Sequence, residues 1–407
     1  MAGRQGDPDH PRARQYQRRS HPAARTGRSV RLGHPPVSPL RVADVIVIGA
    51  GIIGAACARE LARRGQQVLV IDAGLRGATA AGMGHLLVLD DNQAELDISR
   101  YSLSRWRELG PQLPDDCAYR NNGTLWLAAN EEELAAAEAK SGNLRAEGIR
   151  CEMVPGHALQ AMEPILRDGL HGALRLPDDG ILYAPNTARW MLDNPRISQR
   201  RAKVTELDGN RVRLEDGSWL GADAVVLANG TQAVELCPEL PIAAKKGHLL
   251  ITDRYPHPVT HTITELSYLT SVHNSSGASV ACNIQPRPTG QLFIGTSRQF
   301  DTLDPEVDGW LLARMLRHAA SYAPGLAQLN GIRAWAGFRA ATPDGMPLIG
   351  EHPAQPGLWL AVGHEGLGVT AAPATADLLA ALLWDEAEPI PAAAYAPRRY
   401  LGETAHA

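Results

Sequence analysis

The residues whose types and spacing could do chemistry first are Gly49-Ala50-Gly51-Ile52-Ile53-Gly54 and Asp72, and that chemistry is recognition of a dinucleotide. Gly49 permits a tight turn, Gly51 lets a pyrophosphate approach the backbone, and Gly54 lets the next helix pack close to a strand. The N–H groups at the start of that helix, at Ile52 and Ile53, are then offered to the phosphates. Asp72 follows Gly54 by 18 residues, where a carboxylate accepts from a ribose 2′-OH and repels a 2′-phosphate.

These residues need elements to hold them in place. Val45-Ile46-Val47-Ile48 is a β-branched run of the kind buried on both faces of a parallel sheet. Gly54, Ala58, Leu61 and Gly65 form a small-residue stripe on the helix that follows. The second strand runs from Gln67 to Ile71 and ends at the acid. A glycine motif alone is weak evidence, but strand, glycines, helix, second strand and acid occur here in order. A second strand, Ala222 to Asn229-Gly230, and a hairpin-like stretch from Val212 return to the same sheet.

Composition sets outer limits. The chain has 407 residues, 44% hydrophobic and 21% charged, enough for two packed domains of a globular protein. Residues 1–41 hold nine arginines against two aspartates, a formal +7; the remainder is 31 basic against 42 acidic, a formal −11. An acidic body argues against nucleic acid as the main partner. The basic tail reads as a disordered extension rather than an RNA- or membrane-binding arm, with translation expected to start near Val37 or Val42. The longest uncharged apolar stretch, Val45 to Ala58, has 14 residues and is too short to span a membrane. Five widely spaced cysteines without a CxxC argue for reduced thiols and a cytoplasmic location, and against a cysteine-ligated metal or iron–sulfur site.

Two C-terminal stretches narrow the reading. Gly337-Phe-Arg-Ala-Ala-Thr-Pro-Asp-Gly-Met-Pro-Leu-Ile-Gly350 is followed by Leu358-Trp-Leu-Ala-Val-Gly-His-Glu-Gly-Leu-Gly-Val-Thr370. Together with the front motif they resemble the D-amino-acid oxidase superfamily of FAD enzymes, from residue 42 to about 395. Gly77 to His85 and Lys246 to Thr252 are similar to a bacterial subgroup described as D-hydroxyproline dehydrogenase, hydrogen cyanide synthase or D-amino-acid dehydrogenase.

The resemblance implies an α/β protein in which a Rossmann-like FAD domain is interleaved with an antiparallel-sheet substrate domain. The FAD domain is expected at 42–90, 150–235 and 325–395, with helices on both sheet faces; the substrate domain at 91–149 and 236–324; and a tail at 396–407. Beyond the front motif, the implied cofactor contacts include Ala73, Thr79, Ala80, Gly82, Met83, Gly84 and His85 in the first domain segment. Val204, Asn229, Gly230, Gly337 and Arg339 follow, then Gly363, Glu365, Gly366, Leu367, Gly368, Val369 and Thr370. The helix after these glycines should start near Val369 or Thr370, since Pro373 is tolerable in the first turn. Its positive end would favour an anionic reduced flavin. Gly337 stands where sarcosine oxidase has its flavin-tethering cysteine, so the FAD is expected to be non-covalent. Arg339 matches the family arginine that clamps the substrate carboxylate.

His248 and Tyr268 are further candidates, on substrate-domain strands that could reach the flavin. Lys245 and Lys246 read as a solvated pair, and Pro258 between His257 and His261 argues against a metal pair. The leading expectation is oxidation of a D-amino acid or cyclic imino acid, as by D-hydroxyproline dehydrogenase, with hydride passing from Cα to flavin N5. The alternatives are a glycine or sarcosine oxidase releasing hydrogen peroxide, and a non-catalytic FAD-binding subunit. Oxygen is the acceptor in the oxidase reading; a quinone or partner electron-transfer subunits of a hetero-oligomer serve the dehydrogenase reading.

Overall fold

Val45–Ile48 is a fully buried strand paired in parallel with Val68–Asp72 on one side and Ala224–Leu227 on the other. The computed structural model describes residues 40–256, 259–267 and 277–402. Six strands follow the order Leu348–Glu351, Leu358–Val362, Ala224–Leu227, Val45–Ile48, Val68–Asp72, Ile197–Arg201, and the edge strand Leu348–Glu351 runs antiparallel. Successive side chains of a strand point to opposite faces. Val45 and Val47 accordingly enter a core under the helix Ile52–Arg63, while Ile46 and Ile48 enter a second core on the other face.

That second face differs from the expectation of helices on both sides. A four-stranded sheet of Leu40–Arg41, Trp219–Gly221, Arg211–Leu214 and Val204–Asp208 contributes Val204, Val212, Leu214 and Leu220 to the core there. The segment 204–221 has alternating rather than helical hydrophobicity, and alternation makes a half-buried hairpin.

The second large sheet has eight strands in the order Gly331–Ala341, Ala243–Thr252, Leu292–Arg298, Ser279–Pro286, Thr262–Glu265, Thr124–Ala128, Gly172–Leu176, Glu152–Pro155. It is antiparallel except where Thr262–Glu265 meets Thr124–Ala128. The helix Gly309–Tyr322 packs on one of its faces, over Ile284 and Ile294. Two stretches expected with the parallel sheet, 152–176 and 331–341, belong here instead. Gly331–Ala341 pairs along nearly its whole length with Ala243–Thr252, a ladder that decides its allegiance. Glu131–Ala146 is helical as expected, with Asn130 accepting from the Glu133 N–H and Glu133 from the Ala129 N–H.

The helix Gly368–Leu383 begins one residue earlier than expected and carries Pro373 in its second turn. Proline removes the donor that would meet Val369 O. The Trp106 indole N–H replaces it, at 3.2 Å from Val369 O and 3.0 Å from Thr370 O. The Ala374 N–H, displaced in turn, donates to Ser102 Oγ at 3.2 Å.

Candidate active site

A cavity of about 770 Å³ is lined by the glycine motif and by one face of the eight-stranded sheet. At its front, Gly49 has φ +106°, and a Cβ there would meet Ala228 O at 2.6 Å. A Cβ on Gly54 would lie 2.0 Å from Gly49 O, so this glycine is required by packing alone. Gly51 is different. Its φ of −65° suits any residue, and a Cβ would meet only Thr79 Oγ1, at 3.1 Å, with the cavity beyond. The remaining reason for glycine at 51 is what must approach from the cavity side, and a pyrophosphate fits that demand.

Asp72 ties the turn together: its carboxylate accepts from the Ala50 N–H at 2.7 Å and the Gly74 N–H at 2.6 Å. Thr79 accepts from the Ile52 N–H at 2.9 Å, so the short helix Ala78–Ala81 docks on the front motif. Ile53, Ala73, Ala80, Gly82, Met83, Gly84, Val204 and Gly230 line the same cavity. So does Asn229, whose buried Oδ1 has no hydrogen-bond partner. A donor supplied by a bound dinucleotide would satisfy that oxygen. The chemistry of this end therefore fits FAD.

The C-terminal glycines close the far side. Gly337 lies so close to Ala81 that a Cβ would come within 2.3 Å of Ala81 Cβ. No cysteine occupies that position, and all five cysteines are buried and free. Gly363 takes φ +84°, and Gly366, Leu367, Gly368 and Val369 line the cavity at the start of the last long helix. Gly54 and Thr370, named from sequence as contacts, are not lining residues. Thr370 is buried and donates to His85 O at 3.0 Å, fastening the helix to the loop Gly77–His85. His85 lines the cavity, bonded through Nε2 to Thr124 Oγ1 at 2.9 Å, and burial pushes its pKa down to about 3.

Arg339 projects from Gly331–Ala341 into the cavity. One guanidinium nitrogen donates to Thr296 Oγ1 at 2.8 Å and another to Ser297 O at 3.2 Å. Gly247 on the paired strand gives it room, since a Cβ there would sit 2.7 Å from the guanidinium. Glu365 is the carboxylate beside it. Burial opposes ionisation of Glu365, but Arg339, Arg298 and Lys245 together outweigh burial and hold its pKa below the ordinary value. Three cations around one carboxylate leave this part of the cavity positive, a setting for an anion.

His248 is not brought to the cavity. Lys245, Gly247 and Leu249 of its strand line it, so His248 and Lys246 point to the opposite face. There His248 is buried, with Nδ1 2.8 Å from Ser297 Oγ and Nε2 accepting from the Asp308 N–H at 3.0 Å. It is a structural histidine, its pKa lowered by burial first and by Lys246 second. The lysine pair is likewise not solvated: Lys246 is 2% exposed, and Lys245 lies 3.7 Å from Glu365. Tyr268 and His257 lie outside the described residues. His261 is held by Glu163 at 2.7 Å, and the described residues contain no metal-ligating cluster. None of their helices is long and apolar enough to cross a membrane.

Sequence reading missed Trp126, Thr264, Asn283, Gln285, Thr296 and Arg298, all of which line the cavity. One signal was available: Asn283 and Gln285 are polar and two apart in a strand that is apolar from Val280 to Cys282, the spacing of one sheet face.

Comparison with known proteins agrees with this geometry. The family described as FAD dependent oxidoreductase, DAO, matches residues 44–382. A glycine oxidase from Geobacillus kaustophilus is 27% identical over 382 residues, covering 88% of this chain and 98% of the relative. The hydrogen cyanide synthase subunit HcnC of Pseudomonas aeruginosa is 22% identical over 424 residues, covering 90% and 98%. The crystal structure of glycine oxidase from Geobacillus kaustophilus superimposes with a TM-score of 0.79 at 26% identity, covering 88% of this chain and 99% of that one.

Proposed function

Because the chain belongs to the DAO family of FAD-dependent oxidoreductases and acts on the C–N bond of amino acids, we propose that its substrate is a small α-amino acid or N-alkyl amino acid, oxidised in the manner of glycine oxidase. The observation that carries this reading is Arg339, a half-buried guanidinium in a positive part of the cavity. With two donors committed to Thr296 and Ser297, three of its five N–H groups remain for a substrate carboxylate. A planar fork both binds and orients a carboxylate, which aims Cα at a fixed place.

Bound non-covalently, FAD would supply a two-electron acceptor for the hydride from Cα, with dioxygen as the final oxidant in the oxidase reading. The chain's own part is positional. Gly51 and Asp72 seat the dinucleotide, and the glycines from 363 to 368 open the wall at the substrate end. Around Glu365, the cations Arg339, Arg298 and Lys245 outnumber that carboxylate, a local setting that suits a substrate carboxylate. Oxidation of a D-amino acid or cyclic imino acid by a dehydrogenase is the second reading, which rests on the resemblance carried by Gly77 to His85 and Lys246 to Thr252.

The test is anaerobic titration of the yellow protein with glycine, sarcosine, D-amino acids and D-proline, followed by peroxide measurement in air. Bleaching by at least one of them with peroxide release is expected. Bleaching without peroxide favours the dehydrogenase reading, and no bleaching by any amino acid overturns both. Acid precipitation should leave the colour in the supernatant; colour in the pellet would refute non-covalent binding.

A further inference from the structure

Behind the part of the cavity that His85 lines, a path of polar side chains leads into the protein. The short strand His85–Leu86 pairs antiparallel with Gly180–Ile181, which brings Asp179 alongside it. The Val88 N–H, just beyond that strand, donates to Asp179 Oδ1 at 3.1 Å. The Thr124 hydroxyl serves both side chains: it lies 2.9 Å from His85 Nε2 and acts on Asp179 as a hydrogen-bond donor. Thr124 is 0% and Asp179 1% exposed, so bulk water is kept from this path.

Each member can pass a proton on. Burial keeps the His85 ring neutral, and a neutral imidazole carries its one proton on either nitrogen. Nε2 is committed to Thr124; Nδ1, which takes no hydrogen bond among the described residues, is left for the cavity. At the far end, Asp179 Oδ2 is buried without a hydrogen-bond partner, an oxygen open to a proton. Burial is the main cause that raises Asp179 to about 8; Asp178 adds to the rise, while Thr124, the Val88 N–H and Lys140 oppose it. Lys140 is paired with Asp90, and Asp178 with Arg107 and Arg150, so Asp179 is the group of the path whose charge can change.

We propose that His85, Thr124 and Asp179 form a proton relay that carries the ammonium proton of the substrate from the cavity to Asp179. The inference rests on the amino-acid reading above for its donor, since an ammonium must become neutral before Cα gives up a hydride. The substrate N–H breaks as Nδ1–H forms, the Nε2 proton passes to Thr124 Oγ1, and the Thr124 proton passes to the Asp179 carboxylate. One proton enters, one ends on Asp179, and no electrons move. The state of Asp179 also sets what the cavity meets. Ionised, it accepts from Thr124, Thr124 accepts from Nε2–H, and Nδ1 presents a lone pair. Protonated, it donates to Thr124, Thr124 donates to Nε2, and Nδ1–H is presented instead. An acid that only braced the loop would leave the ring in one tautomer.

Nitrogen NMR of the FAD-loaded protein carrying isotope-labelled histidine tests this without turnover, with the His85 signals assigned by their loss in His85→Gln. The ring should pass from the Nδ1–H to the Nε2–H tautomer as pH rises through about 8. Thr124→Val should end that dependence and Thr124→Ser should keep it, while Asp179→Asn, whose amide donates at every pH, should hold the Nδ1–H form. A ring that keeps one tautomer through that range, becomes doubly protonated within it, or still follows pH in Thr124→Val overturns the relay and leaves amino-acid oxidation in place. Anaerobic rapid mixing with whichever of glycine, sarcosine and D-proline bleaches the flavin gives the second arm. Thr124→Val should slow bleaching about a hundred-fold with substrate affinity unchanged, and Thr124→Ser should recover most of the rate. An unchanged rate overturns the relay, and bleaching by none of the three overturns its donor. Should Thr124→Val not fold, Asp179→Asn and the unmodified protein decide by the same signals.

Discussion

At the front of the cavity the determinants run from Gly49 to Asp72 in one stretch of chain, whereas the facing wall draws on strands scattered from Thr124 to Ala341. The front is made by backbone: glycines chosen for φ, for close packing or for ligand approach. The wall is made by side chains that meet only because the strands pair. The local motif tolerates no change in backbone shape, and the strand beside it enforces this at Gly49, whose Cβ would meet Ala228 O. A sheet wall keeps its backbone when a side chain changes, so substrate preference is free to vary there while the cofactor end stays constant.

The comparison can be broken most sharply at the glycines. Gly54→Val should prevent stable folding, because its Cβ would fall 2.0 Å from Gly49 O, and soluble yield with circular dichroism checks this. Gly51→Val should fold, since its backbone suits any residue, but purify without flavin; a folded, fully yellow Gly51→Val protein would contradict the assignment of the front end. At the wall, Arg339→Lys keeps the charge and loses the fork. It should weaken substrate use by about 1.5–3 kcal/mol, roughly one to two powers of ten, with little change for an amine lacking the carboxylate. Equal losses for both substrates would remove the clamp role.

Two smaller effects concern the joints between the regions. Trp106→Phe should destabilise the protein by about 1–3 kcal/mol in denaturant melts, because the carbonyls freed by Pro373 lose their donor. Asp179 gives a pH signature. Burial is the main cause that pushes it from 3.8 up to about 8. The folded protein thus holds a proton there that the unfolded chain has released, so stability should fall as pH rises from about 4 to about 8. Glu95, pushed by burial up to about 7, adds to the same slope. Asp179→Asn should flatten part of it in melting temperatures taken across that range.

The amino-acid sequence by itself determined the dinucleotide end, because turn, strand and helix there follow from neighbouring residues: β-branched Val45–Ile48, three glycines and an acid at the strand end. It also marked Gly337, Arg339 and the glycines after Leu358 through their resemblance to a family. What only the tertiary structure decided is which way each strand faces. Lys245 and His248 lie on one strand, and alternation puts them on opposite faces without saying which face meets the cavity. Pairing with Gly331–Ala341 and packing of Gly309–Tyr322 settled that choice, sending Lys245 to Glu365 and His248 to Asp308. The same long-range pairing brought Trp126, Asn283 and Gln285 into one wall, and no local pattern could do so, because Trp126 and Thr264, 138 apart in the chain, become neighbours only when the sheet forms.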